Sequence, residues 1–436
     1  MNMLKAYRNR FLAATLAVFT CFFAKAEGDG TYSGFSPYSV YGVGNLHNPG
    51  TSWNRGMGGV GIAARNHRFI NILNPASVTA RDTLSFMADF GLNGRISVFS
   101  EGDKRALNTT FNIDNFVISF PMWNHTAFMV GLVPMSDVGY KIAYDTLNKE
   151  NLPTGWESFS STGNGGLYTL FAAAGATFWN RLSVGVQANY SFGNINKKAA
   201  MSYEKESTRS WSYGDSLQVS NITAKLGLQY EQPLGASSSL TLGTTYKFST
   251  IMNGHHIHYQ AMGIDTNTGR YVENLAQAGL RMGDELGVGL SFRKGDALMV
   301  EFDYTRTDWS RSGMDGMAGF ANKGTVTFAS SVGQSFRLGA EITPNRNDIR
   351  YFFKRCTYRA GAYYDSSYYT VDGAHVDAIG VTLGMTLPVF RWYNGLSVGL
   401  DFGRRGLQSS QVKETYFGFS VGMNIFDIWF KKPHYE

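Results

Sequence analysis

Beyond its first 26 residues, this sequence has no apolar run long enough to cross a bilayer as a helix, which takes about 20 residues. Its mean hydropathy of −0.19 likewise excludes a bundle of membrane helices. Charge is scarce too: Asp, Glu, Lys and Arg make up 17% of the 436 residues, where soluble domains carry about 25%. Cysteine is almost missing. Cys21 lies in the leader described next, which leaves Cys356 alone and excludes an intramolecular disulfide in the mature chain.

The N-terminus reads as an export address. Lys5, Arg8 and Arg10 precede an apolar run from Phe11 to Ala24, and Ala24-Lys25-Ala26 is a small-x-small cleavage site before Glu27. The run is too short for a membrane anchor, so residues 1–26 are expected to be a secretory signal peptide. Four bases leave with it, which lowers the formal charge from +6 to +2. A basic nucleic-acid-binding surface loses its support.

What the sequence does have is alternation. Ile379, Val381, Leu383, Met385 and Leu387 fall on one side of a strand, with Ala378, Gly380, Thr382, Gly384 and Thr386 on the other. The apolar side needs an apolar medium, and the small side needs something that tolerates glycine and hydroxyls. The scheme recurs at Leu84 to Phe90, Phe116 to Phe120, Phe128 to Val133, Leu167 to Phe178, Leu182 to Phe192, Ile222 to Tyr230, Leu240 to Phe248 and Leu286 to Phe292. It returns at Leu298 to Tyr304, Phe336 to Ile342, Tyr358 to Tyr364, Leu396 to Phe402 and Phe417 to Ile425. About fourteen such strands, with low charge and 14% aromatics, predict an all-β transmembrane antiparallel barrel over residues 81–436.

Connector lengths agree, because such barrels alternate short periplasmic turns with longer external loops. Short connectors occur at Trp123-Asn124, Trp179-Asn180, Gln232 to Ser238, Lys294 to Asp296 and Trp392 to Asn394, with a longer one at Pro344 to Arg350. Longer loops are expected at Asp145 to Gly165, Lys197 to Ser212, Asn253 to Gly283, Thr307 to Gly324 and Arg404 to Glu414. Trp123, Trp179 and Trp392 share the short-turn side. Turn packing accounts for any one of them; together they suit an interfacial girdle.

Residues 27–80 do not alternate. They are rich in Gly and Asn, and include Arg55-Gly56-Met57-Gly58-Gly59-Val60-Gly61 and Asn71-Ile72-Leu73-Asn74-Pro75-Ala76. No Walker lysine accompanies the glycines, so a structural segment suits them better than a phosphate loop. Asn74-Pro75-Ala76, leading into the first strand, resembles the hatch motif of the FadL family of outer-membrane transport proteins. Ser36-Pro37-Tyr38, Arg355 to Gly361, Gly403-Arg404-Arg405-Gly406 and Asp427-Ile428-Trp429-Phe430 are similar to the Bacteroidetes branch of that family. The resemblance spans the mature chain. It implies a fourteen-stranded barrel in the outer membrane of a Gram-negative bacterium, plugged from the periplasmic side by its N-terminal hatch, with Asn74, Pro75 and Ala76 at the gate. It also implies hydrophobic substrates, such as long-chain fatty acids, that leave sideways where the third strand kinks.

Pro134 interrupts that third strand. Lacking an N–H, it breaks the ladder, and Pro134, Met135, Ser136 and Asp137 are expected to form either a lateral opening or a bulge that merely shapes the wall. Charged residues at inward positions are Lys225, Lys247, Arg293, Glu301, Asp303, Arg337, Glu341, Arg359, Asp365 and Asp401. On the lipid face a Lys or Arg at midplane would cost ~2–4 kcal/mol, so a lumen network holding wall to hatch is expected, ahead of ligand binding.

No enzyme chemistry stands out. His255, His256 and His258 are expected at a strand end or in an external loop, and suit a hydrated loop better than a metal site, since no carboxylate partner is visible at ligand spacing. No Ser, His and acid cluster resembles a triad, and no cofactor or metal is implied. Two functions remain: transport of a hydrophobic small molecule, or a non-transporting interaction barrel within an outer-membrane secretion or assembly complex. A continuous apolar lumen reaching Pro134 would favour the first. A lumen filled with salt bridges and a paired third strand would favour the second.

Overall fold

The computed structural model describes residues 34–81, 85–144, 156–203, 211–262, 265–317, 326–389, 395–408 and 412–428. The expected signal peptide, the start of the hatch, Trp392 and the Trp429-Phe430 ending lie outside them. Fourteen antiparallel strands make the wall. They are β1 (Ser85–Glu101), β2 (Lys104–Trp123), β3 (Thr126–Tyr144), β4 (Trp156–Phe178), β5 (Leu182–Tyr203), β6 (Trp211–Pro233) and β7 (Ser238–Lys247), then β8 (Asp284–Lys294), β9 (Leu298–Asp308), β10 (Val332–Ile342), β11 (Thr357–Val371), β12 (Ala374–Leu387), β13 (Gly395–Arg405) and β14 (Lys413–Ile428). β14 pairs with β1 from Lys413↔Ser100 to Ile428↔Ser85, which closes the barrel.

The period-two pattern lands as its chemistry requires. Ile379, Val381 and Leu383 of β12 stand more than half exposed on the outside, while Thr382 and Thr386 are buried on the inside. Trp123 and Trp179 are 73% and 82% exposed on the short-turn side.

Three stretches expected as loops are partly wall. β4 begins at Trp156, β5 runs to Tyr203, and Asn253 to Gly283 contains a hairpin of Gly254–Met262 with Asp265–Asn274. A membrane strand needs only about 9–11 residues, so β4, β5 and β6, of 22 or 23 residues each, project well past the bilayer. There, out of lipid, hydration of their outer faces dilutes the apolar alternation that marks the lower wall. The hairpin strand Gly254–Met262 pairs with Trp211–Val219, the upper half of β6, whose lower half pairs with β7.

The connector between β10 and β11 is the long exception among the short turns. It ends in a helical turn, Phe352–Arg355. Backbone N–H groups of Tyr351 and Arg350 donate to the Asp348 carboxylate at 2.6 and 2.9 Å, and the Tyr351 bond foremost holds that carboxyl below its usual range. Ile349 is fully exposed, and Phe353 is 68% exposed.

Candidate functional site

Residues 34–81 pack against the inner face of the wall, with Trp53, Met57, Val60, Ala63 and Ala64 almost completely buried. Asn74-Pro75-Ala76 forms a compact anchor. The Asn74 side chain accepts from the Ala76 N–H at 3.0 Å, which caps a short 3-10 turn, Pro75–Thr79. Pro75 occupies the first position of that turn, where its missing N–H costs nothing. Asn74 Nδ2 donates to the carbonyls of Ile62 at 2.8 Å and Leu228 at 3.3 Å, tying the anchor to the segment behind it and to β6.

Glycine in the wall makes room for this contact. A Cβ at Gly185 would collide with the Pro75 and Ala76 backbone, and one at Gly227 with Asn74 and Pro75. On the far side, Gly361 lies against Met57 and Gly58, and Gly384 against Gly56. The small face of β12 is therefore packed against protein. Its Thr382 hydroxyl accepts from the Gly58 N–H at 2.7 Å.

Most of the inward charges meet that segment directly. Glu301 Oε1 accepts from the backbone N–H groups of Ala63 at 2.7 Å and Ala64 at 2.9 Å. Asp303 Oδ2 accepts from those of Gly61 at 2.7 Å and Ile62 at 3.0 Å. Glu341 Oε2 accepts from Trp53 Nε1 at 2.7 Å and from Arg359 Nε at 2.8 Å. Arg337 donates to the Gly58 carbonyl at 2.8 Å and pairs with Asp365 at 2.7 Å. Arg293 donates to the Arg65 carbonyl.

Four of the expected residues bind within the wall instead: Asp365, on Arg337 and Ser335, and three more. Lys225 and Lys247 share Glu285, at 3.2 and 3.7 Å, and Asp401 accepts from the Tyr363 hydroxyl at 2.8 Å.

The four residues around Pro134 do come together, at a break in the wall. β2 and β3 pair from Trp123↔Thr126 to Phe116↔Leu132 and no further. Just beyond, β3 shifts register against β4 between Pro134 and Ser136, leaving Met135 as the extra residue. β2 shifts against β1 between Asn115 and Ile113, leaving Asp114 unmatched.

The freed edge of β3 is taken from inside. Asn45–Leu46 pairs with Asp137 and Ser136, the His47 N–H donates to the Met135 carbonyl at 3.0 Å, and His47 Nε2 lies 2.9 Å from the Asp137 carboxylate. Arg55 pairs with the buried Asp114. Two cavities adjoin the break, of about 210 and 280 Å³. Both reach His47, Asn48, Pro49 and Met135, and both are lined by Lys225, Lys247 and Glu285.

Sequence reasoning missed the partners across the barrel. Asp114, Glu285 and Glu414 went unnamed, though Glu414 accepts from Ser36 at 2.9 Å and Ser97 at 3.0 Å and pairs with Arg405 at 3.6 Å. The histidines are also corrected. His256 and His258 sit on a strand, and both bond Asp215 Oδ1, at 3.0 and 2.9 Å. That partner lies 41 residues upstream of His256, beyond any local spacing rule. An acid at alternate inward positions was the one available signal.

The fold is shared with known channels at low identity. The CymD monoaromatic hydrocarbon channel is 15% identical with a TM-score of 0.55, over 86% of this chain and 97% of that one. The Pseudomonas putida toluene transporter TodX is 16% identical with a TM-score of 0.55, over 89% and 99%. A Pseudomonas aeruginosa FadL homologue is 12% identical with a TM-score of 0.54, over 88% and 99%. No curated protein matches. A closed fourteen-strand barrel of FadL type, apolar outside, is an outer-membrane protein of a Gram-negative bacterium. The BamG family model matches residues 8–436, almost the whole length, and the chain belongs to the BamG family.

Proposed function

We propose that this barrel works as a closed interaction subunit of an outer-membrane assembly or secretion complex, with residues 34–81 as a fixed plug. One observation carries the reading: the lumen is filled with buried polar contacts between plug and wall. They involve Glu301, Asp303, Arg337 and Glu341 on one side and Asn74, which donates to the Leu228 carbonyl, on the other. Moving such a plug means breaking many charge-assisted bonds at once, each worth roughly 1.5–3 kcal/mol. The BamG match and the exposed Ile349 and Phe353 on the periplasmic turn fit a chain that meets partners with its rim. The Ser36-Pro37-Tyr38 and Gly403-Arg404-Arg405-Gly406 motifs support a place in the Bacteroidetes branch.

Affinity purification from native membranes tests this. Other outer-membrane proteins are expected to co-elute, and an Ile349→Ser, Phe353→Ser double variant is expected to lower their yield at least tenfold at unchanged barrel abundance. Isolation only as a monomer would sink the idea.

A second reading is supported by the wall break. A hydrophobic small molecule such as a long-chain fatty acid would occupy the adjoining cavities, and the edge between β2 and β3 at Pro134 to Asp137 would serve as its lateral exit once Asn45–Leu46 withdraws. Lys225 or Lys247 would meet a carboxylate there, in competition with Glu285. Deleting the gene is then expected to cut uptake of labelled fatty acids or monoaromatic hydrocarbons by at least half. Unchanged uptake of every compound tried counts against this route.

A further inference from the structure

The outer face of the barrel carries a feature that neither reading uses. Across β12, β13, β14 and β1, a groove of about 500 Å³ opens outward near the long-loop rim. Its walls are apolar: Ile96, Val98, Ile379, Val381, Phe402 and Phe417. Its floor is low because Thr415 holds the centre of a row in which Ile379 faces Arg404, Arg404 faces Thr415, and Thr415 faces Val98. A large residue at 415 would fill it.

The cations stand at the upper end. Arg404 lies in that central row, and Lys413 and Arg105 flank Ser100 in the row above it. All three are exposed, and their odd or even positions put them on the same outward face as Phe402, Phe417 and Val98. Among the described residues their side chains enter no ion pair or hydrogen bond.

Nearby acids do not neutralise them. Asp377 of β12 is half-buried beside the row, Asp103 lies in the β1–β2 turn, and Glu101 falls on the inward side. Arg405, by contrast, points inward to Glu414.

From Leu396 at the periplasmic end of β13 to Arg404 is eight residues, about 26 Å along the strand and about 20 Å of height at a tilt of about 40°, which brings Arg404 to the upper part of an apolar band about 25 Å tall, with Lys413 and Arg105 one row higher. An exposed guanidinium at midplane would cost ~2–4 kcal/mol, falling to ~0–1 at the interface. At that level the outer leaflet of this membrane presents glycolipid phosphates.

We infer that this face binds lipopolysaccharide: one acyl chain of its lipid anchor lies in the groove over Thr415, and a sugar phosphate is held by Arg404, Lys413 and Arg105. Cations in this geometry pair with phosphate by charge-assisted bonds, arginine in bidentate fashion. The groove selects for an acyl chain beside the phosphate. The inference does not depend on whether the lumen conducts.

Native mass spectrometry of the purified full-length barrel, with bisphosphorylated lipid A, its dephosphorylated counterpart and phosphatidylglycerol as probes, tests it. Bisphosphorylated lipid A is expected to remain bound preferentially. An Arg105→Ala, Lys413→Ala, Arg404→Ala triple variant is expected to lose at least tenfold in occupancy. Thr415→Trp, with all charges kept, should lose a similar amount by filling the groove. A heat-modifiability gel shows that each variant is a folded barrel. Wild-type occupancy in either folded variant, or equal retention of dephosphorylated lipid A or of phosphatidylglycerol, overturns the assignment.

Discussion

Replacing Glu301 and Asp303 together by alanine is expected to turn a silent barrel into one that passes ions. The two carboxylates accept four backbone N–H groups from consecutive residues Gly61 to Ala64, at 2.7 to 3.0 Å. An intramolecular hydrogen bond is worth roughly 0.5–1.5 kcal/mol net, so the four sum to about 2–6 kcal/mol, and each buried N–H left without a partner costs about 1–3 kcal/mol more. Against this stands the relief of burying two carboxylates, several kcal/mol apiece. The orphaned N–H groups tip the outcome, because they regain partners only when the segment lifts from β9 and water enters.

Planar-bilayer recordings read the result directly. Wild-type protein should show no discrete steps, and the double variant should open repeatedly. A Glu301→Gln, Asp303→Asn variant keeps one carbonyl acceptor at each position and should fall between them. A double alanine variant that folds and stays silent refutes the clamp.

Gly185→Val acts from the opposite wall. Its new side chain meets the Pro75 carbonyl carbon and the Ala76 nitrogen, both backbone atoms that cannot rotate aside. Overpacking of this kind costs typically ~1–3 kcal/mol. Here it falls on the short turn that fixes the end of the segment, so local release is expected before global unfolding. Trypsin added to the purified barrel should cut after Arg65, Arg68 or Arg81 at least tenfold faster in the variant. Gly185→Ala should show the same change more weakly. Equal cutting rates in wild type and Gly185→Val would mean that Asn74-Pro75-Ala76 does not hold the segment in place.

The two variants probe residues that were legible to different degrees. Glu301 and Asp303 stand out as acids at alternate positions of an otherwise apolar strand, and an inward placement follows from that alone. Gly185 does not stand out, because glycine recurs on the small face of many strands. Whether such a glycine faces water or another backbone depends on a segment more than 100 residues away.

The same distinction explains the histidines. His256 and His258 share one face by their spacing, but Asp215 reaches them only because the outer hairpin pairs with the top of β6. The break at Pro134 was half visible. A missing N–H marks β3, whereas the matching shift at Asp114 of β2 and the capture of the free edge by Asn45–Leu46 leave no local trace.

Local pattern alone requires a two-faced wall of about fourteen strands, with its apolar face toward lipid and the charges of its membrane-spanning part turned inward. Side-chain alternation is a period-two property of the local backbone, and the cost of charge in hydrocarbon leaves only one side for it. What the small face is small for emerges only once the barrel has closed. Closure of β14 on β1 folds the N-terminal segment into the lumen. Contacts separated by more than 200 residues then convert glycine, threonine and isolated carboxylates into a packed and hydrogen-bonded interior.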